Sequence, residues 1–209
     1  MVGHPNFLVG FNLYHGIKAK ENWDRFLWLD LHALAASFLV GDQELHLTKY
    51  CTSRISSPPA RVKRQSIFID ALKASGGVEV IEGKFQHVPV ACGKCGHSWD
   101  DYEEKQTDVN IAVELLVDAQ QDEYDVAFVI SGDTDLIPAF KAVRQKYGKR
   151  IVALFPPCRV SNDLGRYADT AIPIGRAKLA QSRLPEEIKT ASGHVLRCPD
   201  QWVPPPASN

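Results

Sequence analysis

The stretch Val126-Ala127-Phe128-Val129-Ile130-Ser131-Gly132-Asp133-Thr134-Asp135-Leu136-Ile137-Pro138 decides how this chain is read. A β-branched apolar run stops at Ser-Gly, two carboxylates follow two residues apart, and a proline opens a helical pattern. An apolar run of this length, bounded by turn residues, predicts a buried strand. Its carboxylates would then stand at the strand's carboxyl end, where open α/β sheets place their ligands. Two carboxylates held together repel each other, and a cation relieves that repulsion. A hard divalent ion such as Mg²⁺ or Mn²⁺ prefers such oxygen ligands. The plain alternative is that one Asp caps the helix and the other is solvated.

Working outward, apolar runs predict strands at 6–9, 44–51, 78–81, 125–130, 150–155 and 170–174. Helical patterns lie between them. Phe26, Leu27, Leu31, Leu34, Ala35 and Phe38 mark the first, and Ile67, Phe68, Ala71 and Leu72 the second. Val109, Ala112, Val113, Leu116 and Val117 mark a third, and Phe140, Val143 and Tyr147 a fourth. Alternation of this kind predicts an α/β fold, a three-layer parallel sheet flanked by helices with Rossmann-like topology. One domain is expected over 1–183, interrupted by a Cys-containing insertion at about 85–102. Residues 184–209 read as an appendage ending in a disordered Pro-rich tail.

The chain has 209 residues, 44% hydrophobic and 23% charged, which suits one globular domain with decorations. No apolar run approaches the roughly 18 residues that cross a bilayer, and the first residues, without a basic region and apolar stretch, are not expected to act as a secretory leader. Five cysteines argue against a disulfide framework, so a cytoplasmic protein is expected. The net charge of −1 hides a segregation. Between Asp100 and Asp135 the only base is Lys105, whereas between Leu136 and Arg183 the only acids are Asp163 and Asp169. An acidic centre flanked by basic surface suits a polyanionic ligand; solvated helix faces are the alternative.

The third helix is expected to begin near Asp101, which places Glu104 and Asp108 four residues apart on one helical face. Asp108 sits where the helix turns apolar, and a carboxylate there needs a partner. A solvated Glu–Lys–Asp group is the alternative. At the first strand's end, Gly10 permits a tight turn, and Asn12 either caps a helix or holds its oxygen toward a ligand. In the insertion, Cys92-Gly-Lys-Cys95-Gly-His97 has the look of a zinc knuckle with three local donors, the fourth being His87, Cys51 or a residue of another chain. A glycine-rich reduced turn is the alternative. Cys158 and Cys198 read as structural thiols, and His32 as a surface or packing residue. His15 is placed close enough to the site to touch a phosphate. For RNA, the candidate contacts are Arg54, Arg61, Lys63, Arg64, Lys141, Arg144 and Arg159, with Tyr14 and Trp99 as stacking platforms or core aromatics.

Three motifs in order, Gly-Phe-Asn-Leu-Tyr-His-Gly at 10–16, Glu-Glu-Lys-x-x-Asp-Val at 103–109 and Ser-Gly-Asp-x-Asp-Leu at 131–136, resemble the bacterial NYN domain proteins of the PIN-like nuclease superfamily. The match spans roughly 6–174. The resemblance implies a metal-dependent endoribonuclease in which Asp108, Asp133 and Asp135 match acidic metal-site residues and Asn12 the Asn of the first motif. Ser131 and Thr134 would support the site through their hydroxyls. One position departs: the family's first motif reads Asp-Gly-Phe-Asn, and here Val9 precedes Gly10. Val9 cannot ligate, which would weaken the site. The expected function is therefore RNA phosphodiester hydrolysis at Mg²⁺ or Mn²⁺, weakened or lost. The alternative is a catalytically inactive RNA-binding or protein-interaction module. Assembly as a homo-oligomer is compatible with the sequence, and no membrane partner is expected.

Overall fold

The computed structural model describes residues 5–10 and 12–204, without the side chains of 101 and 103. Strand β1 (Pro5–Val9) is buried along its whole length at the centre of a seven-stranded sheet ordered β4-β3-β2-β1-β5-β6-β7. Its parallel neighbours are β2 (Leu47–Ser53) and β5 (Val126–Ile130), with Val9 level with Tyr50 and with Ile130. Strands β6 (Arg150–Phe155) and β7 (Thr170–Pro173) extend one side in parallel. Strand β3 (Val78–Ala91) opens the other side.

Alternation along the strands sorts their side chains onto two faces. Phe7, Val9, Phe128 and Ile130 pack with Leu13 and Ile17 of α1 (Asn12–Lys18), Leu34 of α2 (Leu31–Ala36), Phe68 and Leu72 of α3 (Pro59–Ser75) and Leu179 of α7 (Arg176–Gln181). Leu8, Ala127 and Val129 pack with Ile111 and Leu115 of α4 (Thr107–Gln120), Phe140 and Val143 of α5 (Ile137–Lys146) and Leu164 of α6 (Asn162–Gly165). Three layers result, the expected α/β architecture. The single long helix read through 26–38 is instead a 3₁₀ turn, Asp24–Leu27, followed by α2, because Asp30 interrupts it and caps α2 by accepting from Ala33 N–H at 2.8 Å.

The insertion differs more. Beyond Gly83, where its pairing with β2 ends, β3 runs on past the sheet and pairs antiparallel with β4 (Ser98–Lys105). The expected start of the third helix near Asp101 is therefore a strand. Cross-strand pairing wins over helical spacing here: the Phe85 and Tyr102 rings stack at 5.7 Å, and His87 pairs with Asp100 at 2.7 Å. Gln106, at φ 75°, breaks the strand, and α4 starts one residue later. The C-terminal stretch is packed on the body. After the hairpin of β8 (Glu187–Lys189) and β9 (Val195–Arg197), Trp202 is buried with its ring 6.5 Å from Trp28 and 6.2 Å from Phe68. The end of the expected Pro-rich tail, from 205 onward, lies outside the described residues.

A candidate active site at the carboxyl edge

The sheet is built outward from β1 in both directions, so the chain after β1 and the chain after β5 leave the sheet side by side at a topological switch point. Asn12 emerges from the first and Ser131 to Asp135 from the second. Asn12 Nδ2 donates to Ser131 Oγ at 3.3 Å, and Ser131 Oγ also accepts the backbone N–H of Asp133 at 3.0 Å. Ser131 is fully buried, so it acts as a pin beneath the exposed turn. Gly132 allows that turn to close: a Cβ there would stand 2.2 Å from the carbonyl oxygen of Arg159. Asp133 accepts the N–H of Asp135 at 3.0 Å, so one of the two carboxylates does cap its helical turn. Asp135 and Thr134 are exposed.

Asp108, in the first turn of α4, faces this turn. Its carboxyl lies above the ordinary range, first because burial disfavours the charge and then because Asp133 and Asp135 repel it. Glu104, at the end of β4, accepts a short hydrogen bond from Thr107 Oγ1. Burial pushes its carboxyl to about 7, against the hydrogen bond from Thr107, with Asp108 adding repulsion. Glu104 and Asp108 thus meet at the same edge, although through a strand end and a helix start instead of one helical face. The four carboxylates act on one another electrostatically without closing on a common point. Among the described residues, no three His, Cys, Asp or Glu side chains converge on a metal position.

Positive charge borders the same edge. Arg159 lines a cleft of about 650 Å³ with Asn12, Asp133 and Thr134. The His15 imidazole is held below its usual pKa by the packing around it, then by the charges of Arg159 and Arg61. Arg61, Lys63 and Arg64 stand in the first two turns of α3. The other candidate RNA contacts are engaged elsewhere. Arg144 binds Asp169 at 2.8 Å and the Tyr167 carbonyl, Lys141 lies 4.5 Å over the Tyr167 ring, and Arg54 pairs with Glu82 at 2.9 Å. They brace α5 against β7 and β2 against β3, a role that charge spacing alone does not distinguish from a binding face.

Val9 is fully buried in the apolar cluster with Phe7 and Leu13, on the sheet face opposite α4. Its methyl groups fill core on that side. Cys51 is buried in the sheet with its thiol pushed by burial to about 12, and His87 pairs with Asp100 at 2.7 Å on the hairpin. His97 stacks on Trp99 at 6.0 Å. At the hairpin tip the Cys92 thiol is lowered by the backbone N–H groups of Cys95 and Lys94, and the turn closes through Gly96 N–H to the Cys92 carbonyl at 2.9 Å. Cys198 is buried as expected, but Cys158 is exposed and lines the Asp133 cleft, a placement its isolated position in the sequence does not signal. Trp99 is 46% exposed on the hairpin and Tyr14 half-buried beside the first strand's end. His32 bonds the Gly77 carbonyl at 3.1 Å and is a packing residue. The residues that the sequence did not single out are Thr107, Tyr50 and Gln65, which surround Glu104 and an adjoining pocket.

The chain is 27% identical, over 96% of its own length and 75% of the relative's, to a protein of Pseudomonas putida named 6-hydroxy-3-succinoylpyridine 3-monooxygenase HspA. A Vibrio parahaemolyticus protein of unknown function, known from a crystal structure, shares the fold with a TM-score of 0.54 at 19% identity, covering 88% of this chain and 98% of that one. No helix among the described residues is long and apolar enough to cross a membrane. The NYN domain model matches residues 10–175, most of the chain and all of the stretch from Asn12 to Asp135 that carries the carboxylate edge, and the protein belongs to the NYN domain family.

Proposed function

We propose that this protein is a ribonuclease-type phosphodiester hydrolase whose reacting phosphate lies between the carboxylates Asp108, Asp133 and Asp135 and the cations Arg61 and Arg159. The observation that carries the reading is that Asp108 faces the Ser131-pinned turn of Asp133 and Asp135 at the switch point, its carboxyl raised first by burial and then by those two charges. The donor chemistry, all oxygen and anionic, suits Mg²⁺ or Mn²⁺, which Asp108, Asp133 and Asp135, with Asn12 beside them, would hold on drawing together from their separate positions. Such an ion, when bound, polarises the phosphate and lowers the pKa of attacking water. The chain's own groups do the rest. Arg61, Arg159 and His15 orient the phosphate, and Ser131 fixes Asn12 and the Asp133 turn. Glu104, titrating at about 7, is suited to accept a proton from water at its carboxylate.

A second reading, an RNA-binding module without turnover, is favoured by one observation: Val9 fills apolar core at the position where the resemblance of the first motif implies a carboxylate. The hairpin tip offers two thiols, Cys92 and Cys95, with His97 two residues beyond and stacked on Trp99. Incubating labelled RNA in Mn²⁺ with the protein, Val9→Asp and Asp133→Asn separates the readings. Cleavage by the protein that Asp133→Asn abolishes supports hydrolysis. Cleavage by Val9→Asp alone identifies a site missing one ligand, and binding without cleavage by any version identifies the module. Equal cleavage by all three rejects the assignment of the site.

A further inference from the structure

One apolar, aromatic-walled opening is used above only through Arg61 at its lining. It lies beside Gly10 at the end of β1, with an empty volume of about 720 Å³ including its mouth. Tyr14, Tyr50, Phe68 and Trp202 wall it, with Arg61 and Arg64 in its lining. The aromatic walls hold one another in place: Tyr50 meets Phe68 edge-on at 6.1 Å, and Phe68 meets Trp202 edge-on at 6.2 Å. Gln65 offers little to a ligand, because its amide donates to the Ser53 carbonyl at 2.8 Å and accepts Ile55 N–H at 2.9 Å. Burial pushes the Tyr50 phenol to about 12, so it stays neutral. The walls therefore present ring faces and methyl groups, and the charge is confined to two arginines.

Arg61 connects this pocket to the carboxylate edge. It lines the pocket and also acts on His15, which feels Arg159 at the border of the Asp133 cleft. An apolar cavity walled by four aromatic rings and joined through Arg61 to a cluster of carboxylates matches an aromatic ring tethered to a phosphate. We infer that this pocket is a base subsite: it receives the nucleobase of a nucleotide whose phosphate passes over Arg61 toward Asp133. The inference rests on the nucleic-acid reading of the carboxylate edge and adds to it a recognition element. Recognition through ring faces tolerates every base, so the subsite fixes the position of the strand more than its sequence.

The test is binding of a short single-stranded RNA measured by fluorescence anisotropy in chelator, where no cleavage occurs, with an abasic ribose moved through each position. One position is expected to weaken binding about tenfold when its base is removed, within the range for stacking on an aromatic side chain. Tyr14→Leu removes that dependence, and Tyr14→Phe, which keeps the ring, retains it. Arg64→Gln, outside the core, weakens intact and abasic RNA alike. A flat abasic scan, a positional loss that survives in Tyr14→Leu, or no binding by any RNA overturns the subsite. Cleavage in Mn²⁺ is scored separately: a flat scan in a cleaving protein removes the pocket and leaves the catalytic reading, and a positional loss without cleavage does the reverse.

Discussion

Asn12 and Ser131, 119 residues apart in sequence, are joined by a 3.3 Å hydrogen bond that ties the end of the first strand to the acidic turn after the fifth. Because Ser131 Oγ also accepts the Asp133 N–H, a single buried hydroxyl sets the spacing between the Asn and the carboxylate. Removing it in Ser131→Ala leaves two donors to find water. A loss of roughly 1–3 kcal/mol in urea denaturation is expected, together with weaker binding of Mn²⁺ by titration calorimetry. Unchanged Mn²⁺ binding would show that the pin does not position the carboxylates.

Gly132→Ala probes the same turn through sterics. Its Cβ would lie 2.2 Å from a backbone oxygen, Arg159 O, which cannot swing away as a flexible side chain would. The turn must therefore shift. The expected result is a lower melting temperature by calorimetry and at least a tenfold loss of any Mn²⁺-dependent cleavage.

The carboxyls of Glu104 and Asp108 are both raised above their usual values, Glu104 to about 7. The folded chain therefore holds protons that the unfolded chain has released once pH exceeds the ordinary carboxylate range. Stability from this pair is present below that range and is lost as pH rises through about 7. Thr107 and Ser53 oppose the shift by hydrogen bonding to Glu104. In chelator, the melting temperature is expected to fall between pH 5 and 8 (from just above the unfolded carboxylate value to about one unit above the folded one), and Glu104→Gln should flatten that fall. A steeper fall in Glu104→Gln would contradict the assignment.

Val9→Asp places a carboxylate among Phe7 and Leu13 in the apolar layer. Without metal, the cost of an unpaired buried charge is about 3 kcal/mol or more. If the new carboxylate turns toward the switch point, Mn²⁺ recovers most of that loss in a thermal melt. A melt insensitive to Mn²⁺ would place position 9 outside the metal's reach in this chain.

Lys49, at the far side of α4 from Asp108, is buried and pairs with Glu114 at 2.6 Å and Asp118 at 2.7 Å, while Asn6 donates to Asp118 at 3.0 Å. Burial alone would lower the Lys49 ammonium, but the two acids raise it. Lys49→Ala leaves buried carboxylate without a counter-charge, and a loss of about 3–5 kcal/mol is expected in chemical denaturation. Simultaneous Lys49→Met and Asp118→Leu should cost less than Lys49→Ala, since the charge is then removed with its partner.

The periodicity and strand-end chemistry of this sequence were sufficient for the layers of the fold. Apolar runs such as Val126–Ile130 can only be satisfied by burial on both faces, and a carboxylate cannot follow them inward, so Asp133 and Asp135 had to stand at an edge. The motif around Glu104 predicts the start of a helix, because acids four residues apart suit a helix as well as they suit a strand end. Only pairing with β3, a contact between distant residues, resolved that ambiguity. The same limit applies to the arginines. Arg61 and Arg144 look alike in sequence, yet one borders the candidate site and the other is bound to Asp169. Composition and spacing carry what each segment must bury or expose. Which charges meet, which aromatic rings from α1, β2, α3 and the C-terminal turn enclose one pocket, and that Val9 faces away from α4 depend on contacts between segments. Those contacts are settled by packing in three dimensions.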